Sequence, residues 1–408
     1  MCQGRPSLSL KRVCSRLTVL DDELLAIVLR FSAARDVEAL AVAARVVSRH
    51  VLPRFPVIWR ALFVQRWTTL NFPLDAEAAL EVEPKLRALF PPHTTESRVF
   101  QVLTHAIVPV PSYADLEQTK RSEGYNEDKH QIQSLHDADT RPSHVVRFAF
   151  NGDELGDDRS VRANVPFPPT FHVAVFKREG KPLYQVGLVA SGYFEIQIVL
   201  RDPPVHPREG DGREGQQEEA LTSLGLVPAS FPLVGRQPGW NQKSFGYHGD
   251  DGRFYRQTTR GRLFGPRFGV NDTVGCGVRR DMKTTHSHVF FTSNGEELAR
   301  AGESDIESPC TSWYPAVGVD SYNEVRVNFG QEPFAHDGIV DELFATWGAR
   351  ALGADEWKDA LAEEKEEQKE ETCMKKWMMG MLTRRQQNRL VSSEENANEE
   401  RAAARQLS

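Results

Sequence analysis

The chain has 408 residues, 40% of them hydrophobic, and carries 50 Lys and Arg against 57 Asp and Glu for a net charge of −7. That length exceeds one small core, so two or three folded units are expected. The acidic balance argues against a nucleic-acid footprint, which needs a clustered basic face. Five scattered Cys without a CxxC pair argue against a disulfide framework or zinc ribbon, and no apolar run is long enough to span a bilayer, so a reducing compartment, cytoplasmic or nuclear, fits best.

Residues 1–16 hold Arg5, Lys11, Arg12 and Arg16 and no acid. They read as a disordered basic leader, with a targeting segment as the alternative. From Leu20 the text turns helical. Asp21 or Asp22 can cap, and Leu24, Leu25, Val28 and Leu29 recur at three- and four-residue spacings. Asp36 is a second candidate cap, before Val37, Leu40, Ala41 and Ala44. A third helix runs through Trp59, Leu62, Phe63 and Trp67. Three short helices cannot bury all this apolar surface among themselves, so part of it is expected to face a partner.

The spacing of Phe100, Leu103 and Ile107 predicts a helix over Thr95–Ile107, and the polar, Pro-bearing text from Pro109 to about Asp139 reads as a linker. From Val145 the period becomes two. VVRFAF, FHVAVF, Tyr193–Leu200, Leu221–Val227, Thr273–Val278, Val289–Phe291, Ala316–Val319 and Val325–Phe329 are predicted strands. Asn294-Gly295 is a hairpin signal. Residues 201–219 are dense in Pro, Gly and acid, a solvated insertion that cannot bury enough apolar area to order itself. Ser244–Gly252, reading SFGYHGDDG, is assigned to turn chemistry, with its Asp carboxylates accepting backbone N–H bonds. Many short strands and no interleaved long helices imply an antiparallel sandwich. Past Asp337 the text becomes helical and charged again, with an acidic run and a Trp/Met cluster around Trp377.

Catalytic patterns are missing from the text: no phosphate loop, no GxSxG, no HExxH. His286 and His288 lack a third ligand nearby. Asp250 and Asp251 are adjacent and point apart on extended backbone, which is wrong for paired acid/base work. Cys276 alternates inward with Val274 and Val278 as a small core residue. No enzyme activity, cofactor or metal is expected.

Two resemblances follow from the residues. LDDELLAIVLRFSAARDVEALAVAARVVSRHVLPRFPVIWRAL resembles the F-box, through Leu20, Leu24, Leu25, Val28, Leu40, Val47, Ser48 and Trp59. It departs at Asp21, where that family has Pro, and a generic helical hairpin is the alternative. The ordered segments SGYFEIQI, LGLVP, PGW, SFGYHGDDGRFY, GPRFGVNDTVGCGV, VFFTSNGEEL, WYPAVGV and VRVNFGQEPF resemble the SPRY domain, in the form found in the Ran-binding protein M family. Together they imply a multidomain α plus all-β chain. Its parts would be a helical F-box-like module over 17–68, a helical and linker region over 69–140, an antiparallel SPRY-type β-sandwich over 141–336 and a charged helical or disordered tail over 337–408.

The F-box resemblance implies that Leu20, Leu24, Leu25, Val28 and Leu40 bind a Skp-type adaptor of a cullin ubiquitin ligase. The SPRY resemblance implies that a protein or peptide target is held on end loops, with Trp240, Tyr247, Asp320, Tyr322 and Asn323 as candidates. Trp240 and Tyr247 are equally placed to be rim core aromatics. In relatives that bind peptide this way a Trp stands where Asp320 falls, so their peptide preference is not carried over. A SPRY scaffold without a ubiquitin role is the alternative. No nucleic acid or membrane partner is expected.

Overall fold

A computed structural model describes residues 21–339, apart from 45–46, 76–77, 114–115, 136–145, 153–154, 169–171, 190–191, 202–220, 242, 281–286, 299–304, 307–311 and 337. Residues 1–350 form one compact unit and 351–408 a second, which lies outside the described residues. The basic leader, Leu20, His286, nearly all of the acidic insertion and the charged tail also fall outside them.

Among the described residues, four helices of nine or more residues dominate the N-terminal module, with shorter turns between them. Helix α1, Asp22–Arg30, opens on Asp21, whose carboxylate accepts from the Leu24 N–H at 2.7 Å. Helix α2 is Ala34–Ala43 and begins on Ala33; Asp36 lies in its first turn, where its charge suits the helix dipole, and is not the cap. Helix α3, Val57–Leu70, buries Ile58, Trp59, Leu62, Phe63 and Trp67. Helix α4, Glu96–Ala106, falls within the predicted Thr95–Ile107 span and is capped by Thr95. Helices α3 and α4 pack through Phe63 and Phe100, edge to face at 5.5 Å, and through an Arg60–Glu96 ion pair. Leu25 and Leu29 of α1 are buried in the same small core.

Among the described residues the strands are, in chain order, β1 Ala79–Val82, β2 Ile132–Ser134, β3 Val146–Phe150, β4 Ser160–Arg162, β5 His172–Lys177, β6 Leu183–Val189, β7 Gly192–Val199, β8 Leu221–Val227, β9 Phe245–His248, β10 Arg253–Arg256, β11 Arg262–Leu263, β12 Thr273–Arg280, β13 Ser287–Ser293, β14 Glu296–Glu297, β15 Asp305–Ile306, β16 Tyr314–Asp320 and β17 Glu324–Asn328. They form a six-stranded sheet of order β11-β10-β9-β8-β16-β4, a larger sheet of order β14-β13-β12-β7-β17-β3-β2 with β15 beside β13, and a small sheet β1-β6-β5.

The two large sheets are antiparallel and face each other across one core. Alternation decides who enters it. Phe194, Ile196 and Ile198 of β7, Val274, Cys276 and Val278 of β12, and Val317 and Val319 of β16 are all buried there. Each such side chain contributes about 1.5–3 kcal/mol when fully buried. The hairpin after β13 turns through Asn294 at φ 49° and Gly295 at φ 87°, the left-handed pair that a two-residue turn between right-twisted strands requires.

Two expectations are corrected. Residues 109–139 are not a free linker. Tyr113 is buried against Phe148 and Phe329, each ring at 5.7 Å, and Thr119 donates to the Ser160 carbonyl at 3.1 Å. Strand β2 extends the larger sheet before residue 141. The helical module is also built into the sandwich. Strand β1 pairs with β6 in parallel, from Ala79 opposite Leu183 to Val82 opposite Val186, and Lys177 closes on Asp75 at 2.7 Å. Among the described residues this pair is parallel and the other strand pairs are antiparallel.

Candidate binding surfaces

The first surface is the end of the six-stranded sheet where β16 turns into β17. The chain Asp320-Ser321-Tyr322-Asn323 makes that turn, and the Asn323 N–H donates to Ser321 Oγ at 3.1 Å. Tyr322 stacks on Phe150 at 5.4 Å and stays half-buried. Phe150 is also covered by Arg159, whose guanidinium carbon lies 3.7 Å from the ring centroid.

Arg159 has no exposed side-chain surface and pairs with Asp320, Nη1 to Oδ1, at 3.2 Å. The Gly156 N–H donates to both Asp320 oxygens, at 2.8 and 3.0 Å. Burial raises the Asp320 carboxyl above its ordinary range and lowers the Arg159 guanidinium, so each ion is costly to hold and depends on the other. Asp320 thus faces inward as a brace. Tyr322 and Asn323 remain at the surface.

A second network supports the same end. Ser223 Oγ donates to Gln237 Oε1 at 2.7 Å, and Gln237 Nε2 donates to Asp158 Oδ1 at 3.2 Å. This needs Gly318 next to Ser223. A Cβ there would lie 1.6 Å from Gln237 Oε1, so no side chain fits. The loop preceding Arg159 and the segment leading to Trp240 are therefore tied to one sheet.

Trp240 packs half-buried on His248 at 5.7 Å and Tyr255 at 6.3 Å. His248 pairs in register with Ser223, which pairs with Gly318, two residues before Asp320, so both groups occupy the same end of the sheet. Tyr247 does not join them. It is fully buried, ringed by Phe264, Phe268 and Phe291, and donates its hydroxyl to the Pro266 carbonyl. The reason is local: Phe245–His248 is strand β9, with Phe245 and Tyr247 facing the core, and only the residues after His248 form the turn. Asp251 does accept the expected backbone bond, from Arg253 N–H at 2.9 Å, and also takes the Tyr255 hydroxyl at 2.6 Å.

His248 is buried and its pKa is pushed down to about 4, first by burial, partly opposed by the Pro238 carbonyl 2.8 Å from Nε2 and by the Asp251 charge. Nε2 faces an acceptor, so it carries the proton; Nδ1 is buried without a hydrogen-bond partner among the described residues. Folding therefore favours the neutral ring. Its stabilisation is full above the ordinary value of 6.5 and is lost as pH falls toward 4. That window is worth about 3 kcal/mol. Wild type should lose about that much more stability between pH 7 and pH 4 than His248→Phe, measured by urea unfolding. Parallel losses in the two proteins would contradict the assignment.

The second surface lies on α1. Leu24, Ile27, Val28 and Phe31 occupy one helical face and are exposed, Leu24 at 49% and Phe31 at 78%. Leu25, expected among the contact residues, is 1% exposed and belongs to the module's own core. Leu40 is half-buried. Ile27 and Phe31 join the face that the motif pattern had not included.

No group of three or more His, Cys, Asp or Glu side chains able to hold a metal occurs among the described residues, and no helix there is long and apolar enough to cross a membrane.

Comparison with known proteins places this geometry. Residues 210–332 match the SPRY domain family, and the chain contains a SPRY-type antiparallel β-sandwich. The chain is 36% identical over 152 residues to the Ran-binding proteins 9/10 homolog of Drosophila melanogaster, covering 37% of this chain and 13% of that protein. It is 30% identical over 206 residues to Ran-binding protein 10 of Danio rerio, covering 50% and 27%. It is 41% identical over 146 residues to the Ran-binding protein M homolog of Arabidopsis thaliana, covering 36% and 26%. The chain thus matches about a quarter or less of the length of these relatives.

Proposed function

We propose that this chain is a non-catalytic protein-binding adaptor of the cytoplasm or nucleus, whose SPRY domain holds a protein or peptide target on the loop end built around Tyr322, Asn323 and Trp240. The observation that carries this is a pair of half-exposed aromatics mounted on a rigid, bonded frame. Aromatics on a braced frame supply contact area at low entropic cost.

The finer reading is a substrate receptor of a Skp–cullin–F-box ubiquitin ligase. It is supported by the exposed Leu24, Ile27, Val28 and Phe31 face on a module built into the sandwich. A Skp-type adaptor would cover that face, and the target would be presented by proximity to a loaded ubiquitin carrier. A scaffold outside ubiquitin transfer is the second reading. It is favoured by Asp21 serving as the helix cap in place of a proline, and by Leu25 being used internally. Assembly of the chain's complex in cells depleted of the Skp-type adaptor separates the two: loss supports the receptor, normal assembly the scaffold.

The loop-end reading is tested by a Trp240→Ala/Tyr322→Ala variant of the full chain. Its recovery of a SPRY-dependent partner should fall about tenfold relative to wild type. Equal recovery at equal folded protein would reject the surface.

A further inference from the structure

A second site stands on a different part of the sandwich. Between Gly252 and Asn271 the chain carries Arg253, Arg256, Arg260, Arg262 and Arg267 and no Asp or Glu, in a protein of net charge −7. Four of them lie in the β10–β11 hairpin, where Arg262 pairs with Phe254 and Arg253 with Leu263 on alternate faces, and Arg267 follows it. Arg253 donates to the Gly261 carbonyl at 2.8 Å and ties the hairpin across its turn. Arg256 lies over the Phe245 ring at 5.7 Å and Arg262 over the Phe254 ring at 5.0 Å, so two of the guanidinium groups are seated on aromatic faces. Arg253, Arg260, Arg262 and Arg267 are exposed.

The same hairpin ends the six-stranded sheet. Strand β11 is its outermost strand, paired with β10 on one side. Leu263 is 81% exposed. An outer strand can accept another extended polypeptide through main-chain hydrogen bonds, with specificity coming from the side chains along it.

We propose that this hairpin binds an acidic extended polypeptide segment, its carboxylates on the arginines and an apolar side chain against Leu263. Arginine is suited to that task because its planar fork meets a carboxylate through two hydrogen bonds. A nucleic acid fits less well. It cannot pair with a strand edge, and phosphate binding needs a cationic track, whereas the chain beyond this hairpin is acidic.

The test measures fluorescence anisotropy of a labelled Glu-Val repeat decapeptide with the full chain, beside a Lys-Val decapeptide and a deoxythymidine dodecamer. Wild type should bind the Glu-Val peptide, more weakly as salt rises. Arg260→Glu/Arg267→Glu should bind it at least about tenfold more weakly at an unchanged melting temperature, and Arg260→Lys/Arg267→Lys should keep most of the affinity. The proposal is overturned if wild type fails to bind the peptide, if the Glu variant binds as tightly, if the Lys-Val peptide binds equally, or if the dodecamer binds more tightly.

Discussion

Replacing Asp320 with Ala should destabilise the sandwich by about 3–5 kcal/mol, although the side chain stands at a loop rather than in the core. The cost comes from Arg159. That guanidinium has no exposed side-chain surface, and its paired carboxylate is Asp320 at 3.2 Å. Removing the carboxylate takes a charged partner from a buried cation that also meets a ring face at 3.7 Å and the Val319 carbonyl at 3.3 Å. The Gly156 N–H loses its acceptor in the same step. Removing both ions tells the causes apart. Arg159→Met/Asp320→Leu should be much closer to wild type than Asp320→Ala, because an apolar pair of similar volume escapes the desolvation cost. Urea unfolding of the three proteins checks this. If Asp320→Ala unfolds at the wild-type midpoint, Asp320 is a free surface residue, and the sequence expectation of a direct target contact regains its place.

The double change Leu24→Asp/Val28→Asp should abolish binding of a purified Skp-type adaptor while leaving the fold unchanged. Both side chains are exposed on α1, so their charges cost the isolated chain little. In a complex each would be buried without a partner. A fully buried Leu or Val contributes about 1.5–3 kcal/mol, and an unpaired buried carboxylate costs more than that, so a change of at least about a hundredfold is expected. Leu25→Asp is the contrasting variant. Leu25 is 1% exposed inside the module, so this change should unfold the module. Titration calorimetry with circular dichroism on each variant reads both effects. Equal affinity of wild type and the double variant would remove α1 as a docking face.

The sandwich was legible because its strands alternate. Val274, Cys276 and Val278 announce an inward face in the text, and the structure buries all three. The Asn294-Gly295 turn was equally visible, since few other dipeptides tolerate two left-handed residues. Tyr247, left open between loop contact and core aromatic, is core, and the text could not decide it for the opposite reason. The glycines and aspartates around it carry a strong turn signal, and that signal hid the alternation of Phe245 and Tyr247. Residues 109–139 hid their packing because the anchors Tyr113, Thr119, His130 and Ile132 follow neither a helical nor a strand period. The β1–β6 pair joins Ala79 to Leu183, and nothing local records so distant a partner. The Arg159 brace could be found only from coordinates, because its partner lies more than a hundred residues away.

A bridging adaptor must join two proteins through separate faces of one chain. Tagged Skp-type adaptor, mixed with a SPRY-dependent target, should retain that target only when the wild-type chain is added. Neither Leu24→Asp/Val28→Asp nor Trp240→Ala/Tyr322→Ala should restore it. Retention of the target without the chain, or with either variant, would contradict the bridge.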